Sequence, residues 1–118
     1  MIAIVDDEEE VRMALERLLR TSGHVVATFA SAEALLSSDR LKDVRCLIAD
    51  IRMPGMSGFD LQSRLGEEGY PIPTIFITAH GDENIRFRAM EAGAVAFLEK
   101  PFDRVVLLER VRACLESR

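Results

Sequence analysis

The chain has 118 residues, 48% of them hydrophobic and 30% charged, with a net charge of −5, the make-up of one globular domain with a real core. No apolar run approaches the roughly 18 residues of a membrane span. No basic start leads into an apolar stretch as in a secretory leader, and no lysine–arginine stripe offers a track for nucleic acid. Cytoplasmic localisation is therefore expected, with no membrane and no direct nucleic-acid partner.

In chain order, "IAIV" (2–5) reads as a first strand, followed by a helix with Val11, Ala14, Leu15, Leu18 and Leu19 at i, i+3, i+4, i+7 and i+8. Gly23 stops it. "VVATF" (25–29) is the second strand, and "SAEALLSS" (31–38) a short helix with Ser31 as N-cap. "CLIA" (46–49) is the third strand. "RMPGMSG" (52–58), with its proline and two glycines, can only be a loop, and a helix from Phe59 to Glu68 follows. "TIFI" (74–77) is the fourth strand, "AHGDEN" its loop, and Glu83 to Ala92 a helix closed by Gly93. "VAFL" (95–98) is the fifth strand. After Lys100-Pro101-Phe102, Asp103 caps a last helix with Leu107, Leu108, Val111, Cys114 and Leu115 on one side. Cys46 and Cys114 lie in apolar patterns without metal-ligand spacing and read as small core residues, in keeping with a reducing compartment.

Apolar strands alternating with helices imply a parallel sheet covered on both faces. Right-handed crossovers leave few topologies. The expected fold is α/β: a five-stranded, doubly wound parallel sheet with five helices, in the flavodoxin-like order 2-1-3-4-5, as one domain over 1–118.

Ligands of such a sheet bind outside the carboxyl ends of its strands. Asp6 and Asp7 follow the first strand, Asp50 the third, Thr78 the fourth and, one residue on, Lys100 the fifth. Glu8, Glu9 and Glu10 are explained by the positive end of a helix dipole. The three aspartates are not. Two carboxylates about 5 Å apart repel by roughly 3 kcal/mol at an effective dielectric near 20. A hard divalent cation relieves that repulsion: Mg²⁺, with Mn²⁺ as the alternative, takes oxygen ligands and is held by one or two carboxylates plus phosphate. One carboxylate is then free to act as a nucleophile in phosphoryl transfer, with Lys100 and the Thr78 hydroxyl facing phosphoryl oxygens.

From end to end, through "IVDDEEEVR", "LIADIRMPGMSGFDL", "FITAHGD" and "AMEAGAVAFLEKPF", the chain resembles a response-regulator receiver domain of bacterial two-component signalling. Its wording is similar to the branch with LuxR-type output domains. The resemblance implies a signalling switch rather than a turnover enzyme, with slow self-phosphorylation and dephosphorylation. Asp50 would take a phosphoryl group from a sensor histidine kinase. Asp7 would bind Mg²⁺ directly, Asp6 through water, and the Arg52 backbone carbonyl would add a ligand. Thr78 and Lys100 would contact the phosphoryl group, Lys100-Pro101 would be cis, and Phe97 would hold the switch aromatic position.

Phe97 has no hydroxyl to keep it outside, so an inward ring is expected even before phosphorylation; the switch would draw Thr78 toward the phosphoryl group and Phe97 into the space behind it. Arg52 and His80, beside the site, are candidates for tuning phosphoryl loss. In the fourth helix Ile85, Ala89 and Ala92 share one face, and Phe87 and Met90 the opposite one. With Val106 and Ala113 on the outer side of the last helix, they point to a phosphorylation-favoured homodimer through the fourth helix, fifth strand and fifth helix. The output would be transcription by a domain outside this chain.

Three alternatives differ in kind. A metal-dependent phosphohydrolase resembles D-x-D after its first strand, where this chain reads Asp6-Asp7-Glu8. A flavodoxin-like cofactor binder needs a Ser/Thr/Gly-rich first loop, which "DDEEE" is not. A pseudo-receiver would lack one of the five functional groups, all of which are present.

Overall fold

Five apolar runs form one parallel sheet in the computed structural model, which describes residues 1–116. The strands are β1 (Ile2–Val5), β2 (Val26–Phe29), β3 (Cys46–Asp50), β4 (Thr74–Thr78) and β5 (Ala96–Glu99), in the spatial order β2-β1-β3-β4-β5. The helices are α1 (Glu9–Thr21), α2 (Ala32–Leu36), α3 (Gly58–Glu67), α4 (Glu83–Glu91) and α5 (Arg104–Glu116). The expected architecture and strand order are therefore those found.

Alternation along each strand sends neighbouring side chains to opposite faces. Ile2 and Ile4 pack with Leu15, Leu18 and Leu19 of α1 and with Leu107, Val111 and Cys114 of α5. Ala3 and Val5 face the other way, toward Leu35 of α2, Phe59, Leu61 and Leu65 of α3, and Ala89 of α4. Two apolar layers thus clamp the sheet, which is why its central strands carry no polar alternation.

Local chemistry sets the helix starts. The Ser31 hydroxyl accepts from Ala34 N–H at 3.1 Å, and Asp82 and Asp103 accept from Ile85 and Val106 N–H at 2.8 and 3.0 Å. Ser57 and Asp60 form a reciprocal capping box at α3. Gly23 and Gly93 take φ of +90° and +88° just past α1 and α4, a backbone region that other residues enter only with strain. Lys100-Pro101 is cis.

Several boundaries move. β2 starts one residue later than read, leaving Val25 exposed, and β5 starts at Ala96. Asp50 and Thr78 are the last residues of β3 and β4 rather than the first beyond them, because their backbones still pair with the neighbouring strand. α2 is shorter, and a 3-10 turn at Leu41–Asp43 follows it. On α1, Ala14 is exposed, and on α4 Ala92 is an exposed C-cap, so the buried stripe of each helix is narrower than its apolar spacing implied.

Candidate functional site

The carboxyl ends of β1 and β3 are adjacent because the strands pair directly, with Val5 opposite Ala49. Asp6, next after β1, is fully buried, Asp50 is 4% exposed, and Asp7 is exposed at the rim. One oxygen from each lies within 4.8 Å of the others. The backbone fixes two of these side chains. Asp6 Oδ1 accepts from Glu8 N–H at 2.8 Å, and Asp50 Oδ1 from Arg52 N–H at 3.3 Å.

Lys100 reaches in from beyond β5, on a backbone whose N–H donates to the Thr78 carbonyl at 2.9 Å. Its Nζ is 2.9 Å from Asp6 Oδ2, 3.1 Å from Asp50 Oδ2 and 2.6 Å from Glu8 Oε1. The Asp6 contact is close but poorly aligned, so the buried Oδ2 has an ion-pair neighbour and no hydrogen-bond donor. Burial alone would push the Lys100 ammonium down. Glu8, Asp6 and Asp50 outweigh it and hold Lys100 above the ordinary lysine range, fully charged. Burial, then the Asp6 charge, raises the Asp50 carboxyl above its usual range against the pull of Lys100 and the Arg52 N–H. The Lys100 hydrogen bond lowers Glu8.

Glu8 is the residue the sequence reading missed. It stands at the N-cap of α1 without capping through its side chain and instead makes the shortest of the three Lys100 contacts. No local pattern could have announced a contact spanning 92 positions. The helix dipole accounts for an acid there, but not for the direction in which its side chain turns.

Thr78 closes β4 at the same edge. Its hydroxyl accepts from His80 N–H at 3.3 Å and makes no hydrogen bond to the acids among the described residues. Phe97 is 5% exposed, with its ring inward in the unmodified chain. The Arg86 guanidinium lies 5.0 Å from the ring centroid, and a Cβ on Gly81 would fall 2.8 Å from Phe97 Cζ. At Gly58 a Cβ would fall 2.4 Å from the Asp50 carbonyl oxygen, so the loop after β3 folds tightly onto the strand that carries Asp50.

Three carboxylates therefore meet one ammonium, and Asp7 stands beside two of them. A buried oxygen without a donor, and three converging hard oxygen ligands, fit a small divalent cation such as Mg²⁺ or Mn²⁺.

The profile of the response regulator receiver domain matches residues 2–112. The chain is a response-regulator receiver domain. Among curated relatives, this receiver is 45% identical over 116 residues to the response regulator protein TodT of Pseudomonas putida, spanning 98% of this chain and 51% of that protein. It is 45% identical over 117 residues to the transcriptional regulatory protein FixJ of Rhizobium meliloti, spanning 98% of this chain and 56% of FixJ. The receiver thus spans about half the length of these relatives. The crystal structure of FixJ-N superposes with a TM-score of 0.88 at 44% identity, covering 99% of this chain and 94% of that one. The response regulator StyR gives a TM-score of 0.89 at 45% identity, covering 98% and 58%. Among the described residues of the receiver, no helix is long and apolar enough to cross a membrane.

Proposed function

We propose that this receiver is a cytoplasmic switch thrown by phosphorylation of Asp50. The observation that carries the reading is the convergence of Asp6, Asp7 and Asp50 within 4.8 Å, with Lys100 Nζ 3.1 Å from Asp50. Asp50, at the end of β3 and pressed by a second carboxylate, is the oxygen nucleophile of this group. In the transfer, an Asp50 oxygen attacks the phosphorus of a phosphohistidine on a sensor kinase. The phosphorus–nitrogen bond breaks, and the imidazole leaves with the bonding pair and takes up a proton. Asp6, Asp7, Asp50 and the Arg52 carbonyl would hold Mg²⁺ or Mn²⁺, which offsets the negative charge gathered on the transferring oxygens. Lys100 is already charged and 3.1 Å from Asp50, so it neutralises a phosphoryl oxygen without reorganising. Thr78 supplies a hydroxyl at the same edge.

The new charge, about −1.5 to −2 by analogy with phosphoserine, biases an existing equilibrium rather than building a new fold. Thr78 and the loop after it are the elements drawn toward the phosphoryl group, and the loop lies on Phe97 through Gly81. Because the ring is inward without phosphorylation, the switch works by shifting the loop against the ring, not by swinging the ring in from solvent. The output face is α4, β5 and α5. Phe87 and Val105 are 67% and 66% exposed there, and Met90 is 48% exposed. Such apolar groups favour a partner surface, and the partner proposed is a second copy after phosphorylation. On α5 Ala113 is exposed as expected, whereas Val106 is half-buried and Val105 is the large exposed apolar group. Transcription through a further domain is the proposed output, in keeping with relatives named as transcriptional regulators.

Treatment with acetyl phosphate and Mg²⁺ followed by intact mass spectrometry tests the core of this reading. The expected result is one added phosphoryl group, absent from Asp50→Asn. No adduct, or an adduct that survives this substitution, overturns it.

A further inference from the structure

Far from the acidic edge, Cys46 opens β3 and Cys114 lies near the end of α5. Both are buried, yet they are not merely small apolar fillers. Their sulfurs are in direct contact across 68 positions of sequence, and both thiols are free. The Cys114 thiol in turn donates to the Pro73 carbonyl at 3.3 Å. Beside this pair opens a cleft of about 550 Å³ lined by Lys42, Asp43, Arg45, Tyr70, Pro73 and Leu115, among others. Arg45 precedes Cys46, Leu115 follows Cys114, and Pro73 is the acceptor of the Cys114 thiol. Neither cysteine lines the cleft itself, but residues adjoining both do, and there two cations outnumber one acid.

We infer that Cys46 and Cys114 form a reversible dithiol–disulfide site, oxidised by a low-molecular-weight disulfide that bears carboxylates and reaches the pair through this cleft. The Cys114 thiol touches the cleft-lining Pro73 and is followed by the cleft-lining Leu115, so Cys114 is the attacking group; contact with Cys46 also lowers its thiol, while the same contact and burial push Cys46 up. The Cys114 thiolate attacks one sulfur of the reagent, whose S–S bond breaks, and the departing thiolate takes the proton that Cys114 gave up. Cys46 then attacks Cys114 Sγ. The second reagent thiol leaves with the Cys46 proton, and the Cys46–Cys114 bond closes. Two protein thiols are oxidised and one disulfide is reduced to two thiols. The product ties the start of β3 to α5, the last helix of the proposed output face.

The experiment incubates the reduced chain with oxidised glutathione, quenches with acid, and labels the denatured protein with a maleimide. The expected product takes no label, is lighter than the reduced chain by two hydrogens, and regains two labels after dithiothreitol. In Cys46→Ser, the expected product is a lasting glutathione adduct on Cys114. Arg45→Glu is expected to slow the reaction with oxidised glutathione several-fold while leaving that with neutral 2-hydroxyethyl disulfide unchanged. Two free thiols throughout, a lasting adduct on the unsubstituted chain or a disulfide between chains overturns the site. Equal slowing of both reagents, or of neither, overturns the cleft as the route.

Discussion

Replacing Lys100 by methionine keeps most of the side-chain volume and removes the ammonium that pairs with the buried carboxylates. At an effective dielectric near 20, unit charges 3.1 Å apart, as for Lys100 and Asp50, attract by about 5 kcal/mol. The Asp6 contact at 2.9 Å is of similar size. Desolvation of the ammonium returns part of this, and breaking a buried pair from one side costs about 3–5 kcal/mol net. That is a large share of the roughly 5–15 kcal/mol that holds a domain together. Urea unfolding in chelator is the assay. With a slope of about 1–3 kcal/mol per molar, the midpoint of Lys100→Met should fall by roughly 2 M. Adding Asp50→Asn to Lys100→Met should recover much of the loss, since one of the two stranded charges is gone. Magnesium should narrow the deficit of the single variant, because a cation can stand in for the missing charge. A Lys100→Met midpoint equal to that of the unsubstituted chain in chelator would refute the charge-balance reasoning.

Asp50→Asn alone should stabilise the receiver at neutral pH in chelator. The folded carboxyl sits above its ordinary value of 3.8, so the native state holds its proton more tightly than the unfolded chain. The contribution of Asp50 to stability therefore declines as pH rises from that ordinary value through the raised one. Thermal melts across pH should show the advantage of Asp50→Asn fading below about pH 4; a variant less stable than the parent at neutral pH would contradict this. Gly58→Ala should cost about 1–3 kcal/mol, because its methyl would press on the Asp50 carbonyl, and denaturant midpoints would register it. Phe87→Glu should weaken phosphorylation-dependent dimerisation at least about tenfold, which is about 1.4 kcal/mol, while Asp50 still accepts phosphoryl. Sedimentation with beryllofluoride and Mg²⁺ would reveal an undiminished dimer if that surface is the wrong one.

Most of the architecture was readable because parallel strands bury both faces and announce themselves as unbroken apolar runs. The positions of Asp6, Asp7, Asp50, Thr78 and Lys100 followed from the same fact, since a parallel sheet delivers every strand end to one rim. What escaped was relational. The Glu8 side chain turns toward a lysine contributed by the far end of the chain, and the two thiols meet through the packing of α5 on β3. Neither leaves a local period. The helix faces were misjudged for a related reason: alanine is small enough to suit either side of a helix, so Ala14 and Ala92 carried no directional information. Neighbouring valines are equally ambiguous, and the choice of Val105 over Val106 as the exposed one depends on the turn at which Asp103 starts α5.

The bare backbone at Gly81 resting on the Phe97 ring has a practical consequence. It is an adjustable stop. A single methyl added there would have to displace either the loop or the aromatic edge, and so would preset the spacing that phosphorylation is proposed to alter. Designers wanting a receiver with a shifted resting point could dial it from this position, leaving every acid and the lysine in their original chemistry.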